Sequence, residues 1–294
     1  MGISLIEGVA LLSLARNRQI GDEILCLGRP ELFISERQLK SLAAKMELKW
    51  SDDEIAHISD SKYGEPFLER VGFRTIRSLD ASEYEGAQII HDLNVPISKE
   101  LEGSTRLLFA NGTIEHIFNV ATSLDNITRL LCAGGTALIN GPANGQCGHG
   151  FYQFSPELFY RYFEANGYED ARVYIVGWKF PQRWFRAIDP RSLNQRVEFM
   201  TVEPAEIVAI ARKVGSLPAS VTPQQSDYSL DLWNKADEVR SRKWSPRKKS
   251  ISSAFYNKVI FPASVGLRYL AGIGMPVLDR HPCFEAIDPF SIGV

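Results

Sequence analysis

The sequence predicts an α/β domain, a mostly parallel sheet with helices packed on both faces. Three observations predict it. From about residue 22 onward, short apolar runs alternate with stretches of helical spacing. Most of the apolar runs end in an acid, an amide or a glycine. Serines stand at two positions where helices of such a unit would begin, one of them followed by proline.

The elements follow in order. Met1 to Arg16 is apolar in patches and contains Glu7, and reads as an amphipathic helix packed on the domain. It has no basic start and no small-residue cleavage site, so a signal peptide is not expected. Ile24 to Leu27 is a buried first strand ending at Gly28. Ser35 caps a helix running to Met46, with Leu39, Leu42 and Met46 on one face. Thr75 to Leu79 is a second strand ending at Asp80, and Gln88 to His91 a third ending at Asp92. Arg106 to Ala110 is a fourth, ending at Asn111-Gly112. A helix over Thr122 to Leu131 stops at Gly134-Gly135, and Thr136 to Asn140 is the fifth strand. Ser155-Pro156 opens a helix that ends near Asn166-Gly167. Val173 to Val176 is a sixth strand, and Val197 to Val202 a candidate seventh.

The chain has 294 residues, 45% of them apolar, enough for one sizeable core. The expected division is a domain over 1–202 and a basic, aromatic C-terminal extension over 203–294, packed on the domain or at an interface. A net charge of -2 argues against nucleic acid as the main partner. The four cysteines have no C-x-x-C spacing, so neither a disulfide framework nor a zinc site is expected. More generally, no His, Asp or Cys set has recognisable ligand spacing, and no metal is expected. No apolar run reaches the roughly 18–20 residues of a membrane span, and the expected location is cytoplasmic. The basic run Arg240 to Lys249 is either a solvated face or a contact for an anionic acceptor or lipid headgroup.

Ligands of such sheets bind beyond the carboxyl ends of the strands. Polar residues cluster there, at Asp80, Asp92, Asn111 and Asn144. The segment Asn111-Gly112-Thr113-Ile114-Glu115-His116 resembles the fourth-strand motif of class I S-adenosylmethionine (SAM)-dependent methyltransferases, where G-T-x-E-H follows the strand. Leu130-Leu131-Cys132-Ala133-Gly134-Gly135 resembles the family's turn before the fifth strand. Gly148 to Ser155 resembles the stretch after strand five in a glycan-associated subset. The resemblance covers roughly residues 20–180. It implies a Rossmann-like, seven-stranded methyltransferase sheet with the C-terminal extension appended. It also implies SAM as cofactor and a small-molecule or glycan-type acceptor.

The sequence departs from the family after the first strand. An acid and three glycines are replaced by Cys26-Leu27-Gly28-Arg29-Pro30-Glu31-Leu32, in which only Gly28 survives. Proline there fixes φ and removes a donor. The expected cofactor contacts are Gly28, Glu31 as a substitute carboxylate, Asp80 on the ribose, Asp92 and Leu93 on the adenine side, Asn111 and Glu115. Asp92-Leu93-Asn94 reads equally as an Asx-turn. Methyl transfer to a hydroxyl benefits from a base, and His116, His149 and Tyr152 are the expected catalytic and acceptor-side groups. Tyr63 to Phe67 is either a lid or a turn before a helix. A nicotinamide enzyme is disfavoured because G-x-G-x-x-G is absent. Two functions remain open: methyl transfer from SAM to a hydroxyl or amine, and a catalytically inert module that binds or scaffolds a partner, including another copy of the chain.

Overall fold

In the computed structural model, described residues are 2–16, 20–179, 181–193, 197, 199, 201, 203–215, 220–228, 278 and 283–292. Nine strands form one sheet: β1 Glu23–Leu27, β2 Thr75–Asp80, β3 Ile89–Ile90, β4 Thr105–Asn111, β5 Leu131–Asn144, β6 Tyr168–Gly177, β7 Trp184–Ala187, β8 Ala205–Lys213 and β9 Phe284–Ile287. Their spatial order is β9-β7-β6-β8-β5-β4-β1-β2-β3. From β3 to β5 every neighbour is parallel. β8 runs antiparallel to both β5 and β6, and β7 and β9 continue antiparallel to the edge.

The central strands are buried on both faces, and their side chains divide with period two. Leu25, Leu27, Leu108, Ala110, Ala137 and Ile139 enter one core. Ile24, Cys26, Leu107, Phe109 and Leu138 enter the other. The first core is closed by α5 (Val120–Leu130) and α6 (Pro156–Ala165). The second is closed by α1 (Leu5–Arg16), α2 (Glu36–Lys45), α3 (Asp52–Ser59) and α4 (Glu65–Val71).

The caps are local and legible. Gln38 Oε1 accepts the Ser35 N–H at 2.9 Å, half of a capping box. Ser51 and Glu54 make both halves of one ahead of α3. Ser155 Oγ accepts the Leu158 N–H ahead of α6, with Pro156 at the first helical position.

Three expectations are corrected. The sheet has nine strands, not seven. Val197, Phe199 and Thr201 are outside any strand, and the strand expected there is β8 instead, which runs antiparallel to its neighbours. β8 lies between β5 and β6, so the sheet continues past the expected boundary at 202. Lys213 fixes its end by donating to the carbonyls of Thr128 and Leu131, both at 2.7 Å. Thirdly, α1 is not amphipathic. Every residue from Ile6 to Leu14 is buried, Glu7 and Ser13 included. The basic run at 240–249 lies outside the described residues. Among the described residues no helix is long and apolar enough to cross a membrane.

Candidate functional site

β1 is the centre of the parallel sheet. The chain leaves it toward β2 on one side and returns through β4 on the other, so a crevice opens between the ends of β1 and β4. Gly28 and Gly112 end these strands with φ of 80° and 59°, a region that favours glycine. Thr113 donates its hydroxyl to the Leu27 carbonyl at 2.7 Å and ties the two loops together. Above them is a cleft of about 290 Å³ lined by residues that include Gly28, Asp80, Leu93, Thr113 and His116. This is near the lower end of small-molecule sites, which span roughly 300–1,000 Å³.

Of the expected cofactor contacts, Gly28, Asp80 and Leu93 line this cleft. Asp80 Oδ1 accepts the Ala81 N–H at 2.6 Å. The Gly28 N–H is spent on the Leu79 carbonyl at 2.7 Å. Asp92 is not among the lining residues. The N–H and the side-chain amide of Asn94 donate to its Oδ1 at 2.9 Å each, so it forms the Asx-turn. The same contacts hold its carboxyl below the usual carboxylate range. Asn111 turns its side-chain amide to the Gly2 carbonyl instead of the cleft. Glu31 belongs to a two-residue ribbon with Gly2–Ile3 and pairs with Lys62 at 3.3 Å. Pro30 and Leu32 do not line the cleft either.

The segment read as either a lid or a turn before a helix is fastened to the loop after β1 and opens α4. Arg29 Nε donates to Glu65 Oε1 at 2.6 Å, and its guanidinium stacks 3.8 Å from the centre of the Tyr63 ring. The Gly64 N–H donates to the Pro30 carbonyl at 2.8 Å.

Beside the cleft lies a second, more polar group. The turn after β4 carries Glu115 and His116, and the loop after β5 carries His149. Glu115 Oε1 is 3.9 Å from His116 Nε2 and 3.5 Å from His149 Nε2. The two imidazole centres are 5.0 Å apart, edge to face. The Glu115 side chain is 1% exposed, and the rings are about half-exposed. Neither Glu115 oxygen accepts a hydrogen bond among the described residues. Burial pushes this carboxyl up to about 7, and the charge of Glu206 adds to the push. Burial and the neighbouring His149 hold the His116 imidazole below its usual value.

The His149 loop is held in place by the backbone. The Phe151 N–H donates to the Glu115 carbonyl at 2.7 Å. Gly150 has φ of 84°, and a Cβ there would stand 2.7 Å from that carbonyl oxygen. Tyr152 donates its hydroxyl to the Phe118 carbonyl at 2.7 Å, and Gln153 is taken up by Gln146 and Cys147. Neither lines the cleft. Phe118 and Phe151 pack edge to face, 5.7 Å apart, and both are exposed.

The sequence reading overlooked two groups. His91 lines the cleft and sets Nε2 3.0 Å from the Val95 carbonyl. Glu206, on β8, is half-buried and accepts from Asn140 at 2.9 Å and Trp178 at 2.6 Å. Its partner Glu7 on α1 is 3% exposed, and burial pushes that carboxyl up to about 8. The signal available for Glu7 was a lone acid inside an apolar helix. Linear spacing pointed to no metal-ligating set, but the fold brings three candidate donors together. Glu115, His116 and His149 have donor atoms within 4.8 Å of one another, brought together from two loops that linear spacing does not connect.

No family model matches the sequence, and no curated protein matches it. Solved structures do align. One is a SAM-dependent methyltransferase from Archaeoglobus fulgidus, at 11% identity and a TM-score of 0.37, covering 71% of this chain and 95% of that one. A second is the possible histamine N-methyltransferase of Thermotoga maritima, at 13% and 0.34, covering 71% and 89%. A third is the citrinin polyketide synthase CMeT domain, at 13% and 0.36, covering 66% of this chain and 47% of that one, so this chain spans about half its length. Likeness at this level says nothing of what this chain binds or does.

Proposed function

We propose that the chain is a SAM-dependent methyltransferase acting on a hydroxyl or amine of a small-molecule or glycan-type acceptor. The observation that carries the reading is the cleft at the switch point, lined by Asp80 at the end of β2 and by His116. The cleft residues fit the nucleoside part of SAM. Asp80 offers an acceptor for ribose hydroxyls, Leu93 and Ile117 offer apolar wall for a base, and glycines stand where backbone must approach closely. SAM supplies an electrophilic methyl group when bound. The chain's part is then to hold the acceptor in line, and to take its proton at His149 or His116. The exposed Phe118–Phe151 pair beside these histidines suits the flat or ring-bearing face of an acceptor.

One observation favours a second reading, an inert binding module. The loop after β1 spends the Gly28 N–H on Leu79 and is strapped to Tyr63 and Glu65. Transfer of a labelled methyl group from SAM to a panel of hydroxyl and amine acceptors tests the enzyme. His149→Ala should leave SAM affinity unchanged and slow turnover at least tenfold, within the range of a lost general base. A variant with full activity would remove His149 from the chemistry. No transfer to any acceptor, together with no SAM binding, would favour the module.

A further inference from the structure

We propose that Glu115, His116 and His149 form a three-ligand site for a divalent transition-metal ion of the zinc class, open on its outer side.

The donor set is one carboxylate and two imidazoles, the composition of open catalytic zinc sites and of facial-triad iron sites. Their donor atoms lie within 4.8 Å of one another. Glu115 Oε1 is 3.5 Å from His149 Nε2 and 3.9 Å from His116 Nε2. Bond lengths of about 2.0–2.2 Å in a tetrahedral site separate ligand atoms by roughly 3.4 Å. Closing on an ion therefore needs only rotamer-scale movement, and two of the three groups are half-exposed side chains free to make it.

The second observation is independent of that spacing. Glu115 is 1% exposed, and neither oxygen accepts a hydrogen bond among the described residues. A buried carboxyl without a donor is costly and calls for a partner. A cation on the histidine side of the carboxylate supplies one. Gly150 and the Phe151 N–H also fix the His149 loop against the Glu115 backbone, so that the third ligand is held where the other two are. The two rings are half-exposed, so the remaining positions would face solvent, for water or an acceptor oxygen; with an ion bound, the imidazoles serve as ligands and not as bases.

The donors belong to the chain, so this site stands or falls apart from SAM binding. The full chain, stripped with a chelator, is titrated with Co²⁺ and Zn²⁺, read by visible absorption and calorimetry. One equivalent should bind, with cobalt bands of a nitrogen–oxygen site. Glu115→Gln, His116→Ala and His149→Ala should each weaken binding at least tenfold, while His57→Ala and Cys147→Ser leave it unchanged. Thermal melts without metal check that each variant folds. Absence of binding at millimolar metal, equal binding by the three ligand variants, or loss of binding in Cys147→Ser overturns the proposal. Loss of SAM binding with intact metal binding would count against the methyltransferase reading alone.

Discussion

The two ends of the crevice are built on opposite principles. At the β1–β2 end the carboxylates accept from near neighbours in sequence, Asp80 from Ala81 and Asp92 from Asn94, and the Gly28 N–H donates to the Leu79 carbonyl of the adjacent strand. At the β4–β5–β8 end, Glu115 and Glu7 are buried and Glu206 is half-buried, and all three carboxyls are pushed above the usual range. Buried acids are expensive, and a fold holds several in one place only where surrounding structure offsets the cost. The contrast teaches where the constraint lies. The loop after β1 departs from the glycine-rich pattern of the family that the sequence resembles, while the end nearest the histidines holds a demanding arrangement.

The largest expected effect tests the costly end. Folding raises the Glu7 carboxyl from 4.5 to about 8. The folded state therefore holds a proton that the unfolded state releases between these values. Stability should fall as pH rises from about 4.5 to about 8, and then level off. Glu7→Gln can keep the bonds to Ser4 and Glu206 without the charge. It should remove the share of that slope due to Glu7, leaving the share due to Glu115 and Glu206, and raise stability by a few kcal/mol at pH 9, but little at pH 4. Urea denaturation at both pH values measures it. An unchanged slope would mean that Glu7 is not the buried acid responsible.

Gly150→Ala comes next. Its φ and the nearby Glu115 carbonyl should cost about 1–2 kcal/mol and displace the His149 loop. Thermal melts combined with turnover would reveal it, and wild-type values in both would break the account of the loop. The smallest effect is Asp92→Ala. Its carboxylate is committed to the Asx-turn, so SAM affinity should change by less than about twofold, within 0.4 kcal/mol. A tenfold loss would return Asp92 to the adenine side.

How much of this was legible depended on range. Strands buried on both faces were readable as apolar runs, and caps such as Ser35 and Ser155 announced their helices within three residues. β8 was not readable as the seventh strand because the alternation at Val197 to Val202 imitates one just upstream, and only sheet pairing separates them. Asp92 was ambiguous because one sequence, Asp-Leu-Asn, serves both a turn and a ligand contact, and the structure shows the turn. Glu115 and His116 stood out in their motif, whereas their approach to His149 is tertiary and no linear spacing encodes it. Glu206 lay in a segment set aside as an appendage, and its partial burial follows from the strand's place inside the sheet.

Calorimetry with S-adenosylhomocysteine, on the wild type and on Asp80→Ala, tests the central claim most directly. The account predicts one binding site, weakened in the variant by about 1–3 kcal/mol, the loss of a hydrogen bond to a charged group. No heat at millimolar ligand, or equal affinity in the two proteins, would contradict it.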